Sequence, residues 1–146
     1  NGEKDADSFF IVDVPGFGFA QVPDKQRSAW SGLLSTYLEK RNTLRVVFHL
    51  VDGRHGPIDE DANIMQSMAN SLGKRIKYVI VLTKADKNVK NASKNKQGVV
   101  SKDVLKRLRD TMKENGVGNA PVLLTSAETK LGRDDIWRYM RLAAEV

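Results

Sequence analysis

Three short clusters in this sequence carry residue types whose spacing can do chemistry. Asp13-Val14-Pro15-Gly16 sets a carboxylate three residues ahead of a glycine. Such a carboxylate can orient a magnesium ion through a bound water, and a glycine N–H can approach a terminal phosphate with no side chain intervening. Thr83-Lys84-Ala85-Asp86 places a lysine two residues before an aspartate. A carboxylate in that setting can accept two hydrogen bonds from the ring N–H and the exocyclic amine of guanine. Adenine presents an acceptor at the first of those positions and would be repelled. The lysine's methylene stem can lie along the base while its ammonium stays in water. Thr125-Ser126-Ala127 ends on a residue small enough for its backbone N–H to reach guanine O6. Singly, each cluster is equally a polar turn; only their placement makes a site of them.

Each cluster follows a run that reads as a strand. Phe9-Phe10-Ile11-Val12 is apolar and β-prone, which predicts a buried strand ending in a loop at Asp13. Residues 45–51, 76–82 and 122–124 predict three more strands, ending at Asp52-Gly53, Thr83 and Thr125. Between them, apolar residues recur at helical spacing. Asp24 can cap a helix holding Trp30, Leu33, Leu34, Tyr37 and Leu38. Pro57 and the acids Asp59, Glu60 and Asp61 suit the start of a second, with Ile58, Ala62, Met65, Met68, Ala69 and Leu72 on its apolar face. Ser101 can cap a third that packs Val104, Leu105, Leu108 and Met112 and stops at Gly116. A last helix aligns Ile136, Met140, Ala143 and Ala144, with Trp137 beside them. Apolar strands alternating with amphipathic helices imply an α/β fold whose parallel sheet is covered on both faces. Ligands of such sheets bind at the carboxyl ends of the strands, where all three clusters fall.

Composition narrows the classes. The 146 residues fit one compact domain, and 40% hydrophobic with 29% charged residues is ordinary for a globular chain. The absence of cysteine excludes disulfides and thiolate chemistry, and two histidines are too few for a histidine metal site. No apolar run approaches the roughly 20 residues of a membrane span. The sequence opens on Asn1, and residues 1–8 are polar, so the reading expects a fragment whose targeting information lies upstream. The net charge of +6 is uneven: residues 84–113 hold ten basic and three acidic side chains. That block, with residues 87–100 as a basic loop, suits a nucleic-acid surface and equally a solvated face.

The order Asp-x-x-Gly, Thr-Lys-x-Asp, Ser-Ala resembles the translation-factor-related GTPases. Two longer stretches narrow the resemblance to the EngB/YihA family: Asp13-Val14-Pro15-Gly16-Phe17-Gly18-Phe19-Ala20, and Asp52-Gly53-Arg54-His55-Gly56-Pro57 followed by Asp61. The likeness runs from about Phe9 to the last helix. It implies a three-layer, Ras-like P-loop GTPase domain. It assigns GTP or GDP with Mg2+ as cofactors, guanine recognition to Thr83, Lys84, Ala85 and Asp86 with Thr125, Ser126 and Ala127, and the phosphate and metal side to Asp13, Val14, Pro15 and Gly16. Asp13 would hold the magnesium through water. The segment from Phe17 through the Trp30 helix would be the second switch. A monomer acting on assembly of the large ribosomal subunit, and in bacteria on cell division, is implied, in bacterial cytoplasm or an organelle matrix.

No Gly-x-x-x-x-Gly-Lys-Ser/Thr occurs in these residues. The resemblance places that phosphate loop, the first strand, the first helix and the first switch upstream of Phe9. It puts the first strand between those ending at Asp13 and Asp52, so the Phe9 run must expose backbone, shift inward or pair elsewhere. These residues alone are therefore expected to bind GTP very weakly and to hydrolyse none. Phe17 stands where many GTPases place a water-orienting glutamine, and a phenyl ring can neither take a proton nor orient water. Hydrolysis by the parent then needs another group. His55 fits a base or a loop contact, and Arg54 fits a phosphate or RNA contact or a structural ion pair. The rival reading is a binding module without the phosphate loop that holds RNA or protein through residues 84–113.

Overall fold

An apolar run between amphipathic helices is expected to form a strand of a covered parallel sheet. The computed structural model, which describes residues 9–14, 32–34, 36–73, 75–88 and 100–144, bears this out for three of the four runs. Strands β1 (Val46–Asp52), β2 (Lys77–Thr83) and β3 (Val122–Leu124) form one parallel sheet in the order β1-β2-β3. On the central strand β2, Val79, Ile80, Val81 and Leu82 are all buried. Its register against β1 runs from Val46 opposite Lys77 to Asp52 opposite Thr83, so the two strands end level.

Helices α1 (Asp59–Ser71), α2 (Lys102–Glu114) and α3 (Arg133–Ala144) supply the layers. Residues 32–34 and 36–40 are also helical, and Leu38 there is buried. Helix α1 starts because Asp61 reaches back to the Ile58 N–H at 2.9 Å, with three acids in its first turn favouring the positive end of the helix. Ser101 caps α2, its Oγ accepting from the Val104 N–H at 3.2 Å. Met65 and Met68 of α1 join Val104, Leu108 and Met112 of α2 in one buried cluster with Val51, Ile80 and Leu82. Tyr139 of α3 instead meets Phe48 edge-on, with ring centroids 6.3 Å apart. Successive side chains on a strand point to opposite faces, so α3 covers the face opposite α1 and α2. The architecture is a three-layer α/β fold.

The fourth run departs from expectation. Residues 9–14 form no strand; Phe10 is 87% and Ile11 72% exposed. A strand exists only by pairing, and among the described residues β1 is paired with β2 alone. Of the three outcomes open to an apolar run without its neighbour, exposure is the one adopted. Ile58 also departs: it sits at the helix cap, 50% exposed, rather than on the apolar face of α1. The Asp24 cap, Trp30, and residues 89–99 of the basic loop lie outside the described residues.

A polar group lies on the buried face of β1. His49 is buried on β1, with Nδ1 2.5 Å from the Tyr78 hydroxyl and Nε2 2.9 Å from Asp61 Oδ1. A carboxylate only accepts, so Nε2 carries the hydrogen and Nδ1 receives the Tyr78 O–H. Tyr78→Phe would strand that buried nitrogen and is expected to cost about 1–3 kcal/mol in urea unfolding. Burial, then the Asp61 charge, push the Tyr78 phenol above its ordinary range. A raised folded-state value means that stability is complete below the unfolded-state value, about pH 10, and declines above it. Tyr78→Phe should remove that alkaline decline along with the hydrogen bond.

Candidate functional site

The carboxyl ends of β1, β2 and β3 are stitched into one surface by backbone bonds. The Gly53 N–H donates to the Thr83 carbonyl at 2.9 Å, and the Ala85 N–H to the Thr125 carbonyl at 3.0 Å. The Thr125 N–H and hydroxyl both donate to the Leu82 carbonyl, at 2.8 and 3.2 Å, while the Thr83 hydroxyl reaches the Val51 carbonyl at 3.3 Å. Gly53 is needed for this approach: a Cβ there would stand 2.5 Å from the Thr83 oxygen. The threonines of the second and third clusters are thus fasteners between strand ends. Ala85 is fully buried, with exposed Lys84 before it and partly buried Asp86 after it.

Asp86 sits in the 3-10 turn Ala85–Asn88. Its Oδ1 accepts from the buried Ser126 hydroxyl at 2.6 Å, and Lys87 Nζ lies 3.3 Å from Oδ2. The Ser126 hydroxyl also accepts from the Thr129 N–H at 3.1 Å, and the Ser126 N–H donates to the Leu131 carbonyl at 3.2 Å. Both loops therefore fix one carboxylate from behind. The hydrogen bond from Ser126 holds the Asp86 carboxyl below the ordinary carboxylate range, with Lys87 adding to the effect. An ionised, oriented carboxylate near the exposed Lys84 and Ala127 of the same two loops can receive a planar ring bearing two adjacent N–H donors.

A second carboxylate, Asp52, ends the neighbouring strand opposite Thr83. Asp52 Oδ2 accepts from Arg54 NH2 at 2.7 Å and from Lys84 Nζ at 3.0 Å. Arg54 Nε spans both oxygens, at 3.0 and 3.2 Å, and the Arg54 N–H donates to Oδ1 at 2.9 Å. Arg54 thus forms an ion pair with Asp52 while 41% of its side chain stays exposed. His55 contributes a loop contact, its carbonyl accepting from Arg107 at 3.1 Å.

Thr83, Ala85, Asp86, Thr125 and Ser126 meet at the strand ends through these bonds, with Lys84 beside them on Asp52 and Ala127 next in the chain after Ser126. The phosphate-side cluster is not joined to them: Asp13 and Val14 are exposed on the unpaired segment, and Pro15 and Gly16 lie outside the described residues. Among the described residues no three His, Asp or Glu side chains converge as metal ligands. Two arrangements escaped the motif reading. The only signal for the Asp52–Lys84 pair was an aspartate one residue short of a glycine at a strand end. For His49 it was a histidine on the inward face of an apolar strand.

No family model matches the chain. Individual proteins do. The chain is 36% identical over 138 residues to the probable GTP-binding protein EngB of Symbiobacterium thermophilum, covering 94% of this chain and 54% of that protein. It is 40% identical over 129 residues to the protein of the same name from Hyphomonas neptunium, covering 88% and 54%. For the one from Lactiplantibacillus plantarum the figures are 34% over 140 residues, 96% and 64%. The chain spans between about half and two-thirds of the length of these relatives.

Proposed function

Because this chain belongs, over the segment it spans, to the EngB family of GTP-binding proteins, we propose that its strand ends form the guanine-reading half of a GTP-dependent switch. One observation carries the proposal: the Asp86 carboxylate, past the carboxyl end of β2 in a parallel sheet, is fixed by the buried Ser126 hydroxyl at 2.6 Å. Asp86 accepts from guanine N1–H and the exocyclic amine, the Lys84 stem covers the base, and the Ala127 N–H meets O6. Asp13 with Gly16 faces the magnesium-bearing phosphates. The switch acts on assembly of the large ribosomal subunit, and in bacteria on cell division, from the bacterial cytoplasm or an organelle matrix. The exposed Lys102, Lys106 and Arg109 of α2 offer basic surface for rRNA.

The test is competition for a fluorescent GDP analogue on the full-length protein. GDP and GTP should displace it and ADP should not; equal displacement by ADP would defeat the reading. Residues 1–146 alone contain no phosphate-loop motif, and isothermal calorimetry should find only very weak GTP binding to them. Tight binding there would show that phosphate is gripped by residues other than those proposed.

A further inference from the structure

The most densely bonded side chain at the strand ends is one that the proposed function does not use. Asp52 accepts from two cations at once, and they differ in what they do for the fold. Arg54, two residues on, closes a local turn on it and engages both oxygens. That fork alone satisfies the carboxylate and the β1 terminus. Lys84 arrives from 32 residues away, after the end of β2, and takes Oδ2 at 3.0 Å. It does so from a left-handed backbone, φ 56°, that non-glycine residues adopt at a cost. Its side chain is 46% exposed, and its ammonium would otherwise be free in water on four rotatable bonds. The Arg54 guanidinium, with Lys84 contributing, holds the Asp52 carboxyl well below the usual carboxylate range, so the anchor is charged at every working pH.

We infer that Asp52 is a positioning residue for Lys84: it tethers the ammonium so that the methylene stem is ordered before a base arrives. The inference rests on the proposed guanine site and adds the residue that sets Lys84 in place there. A free lysine must surrender its rotamer freedom when its stem is covered; a tethered one has already done so. Arg54 belongs to the same device, because it keeps the carboxylate turned toward the β2 loop when Lys84 moves. Asp52 touches no base edge in this scheme, so it should strengthen binding of any purine that Lys84 covers. Choice between purines stays with Asp86.

The experiment uses the full-length protein and the Asp52→Asn, Lys84→Ala and double variants. Asparagine keeps the size of Asp52 and an acceptor for the Arg54 N–H. Asp52→Asn is expected to weaken GDP about 5–10-fold and inosine diphosphate by the same factor, leaving their ratio unchanged, on the rotamer cost of one long side chain. The double variant should bind no more weakly than Lys84→Ala alone, and Asp52→Glu should recover part of the loss. In the nucleotide-free protein, hydrogen exchange of the Lys84 ammonium should quicken in Asp52→Asn. Losses that multiply in the double variant, unchanged GDP affinity in Asp52→Asn, or unchanged ammonium exchange would each overturn the inference while GDP binding by the unaltered protein left the guanine site standing. A full-length protein that binds no guanine nucleotide would overturn both.

Discussion

Asp86→Asn is expected to weaken GDP binding by the full-length protein roughly 10²–10⁴-fold, the largest effect that any conservative change at this site should have. The carboxylate offers acceptors to two donors on the guanine edge, and hydrogen bonds to a charged group contribute roughly 1.5–3 kcal/mol each. An asparagine keeps one acceptor, loses the charge, and turns an amide donor toward the exocyclic amine, so one bond weakens and the other becomes a clash. Every tenfold in affinity corresponds to about 1.4 kcal/mol, which gives the stated range. The same geometry predicts an inversion. Xanthine carries a carbonyl where guanine carries the amine, so the asparagine N–H finds an acceptor there, and xanthosine diphosphate should bind the variant better than GDP does. Folding should be nearly untouched, since asparagine still accepts from Ser126, whose hydroxyl lies 2.6 Å away. Competition titrations with both nucleotides, beside a thermal melt, check all of this. If GDP remains preferred, the base is read elsewhere. Since Ser126 holds the carboxyl below its ordinary range, the unaltered site should keep its guanine preference down to pH values where a free aspartate is already protonated.

What was legible in the sequence was what depends on neighbours along the chain. The run at residues 76–82 is apolar because β2 is buried on both faces, and the structure begins it at Lys77 and ends it at Thr83. Ser101, Gly116 and the spacing of Val104, Leu108 and Met112 define α2, because a cap, a left-handed stop and a buried stripe are local facts. The guanine-side motifs were legible for a related reason: each sits within three or four residues of a strand end. What depends on distant pairing was not. Phe9 to Val12 has the composition of a buried strand, yet composition cannot supply the neighbouring strand, and the run stands exposed. The tether between Asp52 and Lys84 spans 32 residues, and the left-handed turn that carries Lys84 to it falls on a residue type that gives no warning. The His49 pairing to Tyr78 and Asp61 likewise joins two strands and a helix, although its effect, a single polar seam under the β1 end, reaches the Asp61 that also starts α1.

Gly132→Ala should cost stability of about 2–5 kcal/mol and disturb the guanine side of the site from behind. Gly132 has φ 71° and precedes α3, its carbonyl accepting from the Ile136 N–H at 3.1 Å. The backbone angle alone is a modest obstacle, of roughly 1–2 kcal/mol. Lys130, two residues earlier, already sits at φ 61° with a full side chain, but it is exposed to solvent. Gly132 differs in what surrounds it: a Cβ there would overlap the Leu124 carbonyl oxygen and lie 2.9 Å from Thr125 Cγ2. Both belong to the end of β3, and neither is the tip of a flexible chain. The strand end must therefore move, at the further cost of roughly 1–3 kcal/mol that overpacking carries. Against a typical total of about 5–15 kcal/mol this is a large share. The displacement also has a direction in function. Thr125 fastens β3 to the Leu82 carbonyl and accepts from Ala85, and the next residue, Ser126, orients Asp86. Gly132→Ala should consequently weaken GDP more than the loss of the Ser126 hydroxyl alone in Ser126→Ala, while Lys130→Ala leaves both folding and affinity nearly unchanged. Urea unfolding and GDP titration of the three full-length variants decide it. A Gly132→Ala protein that unfolds at the unaltered midpoint would mean that the turn before α3 has room the structure does not show.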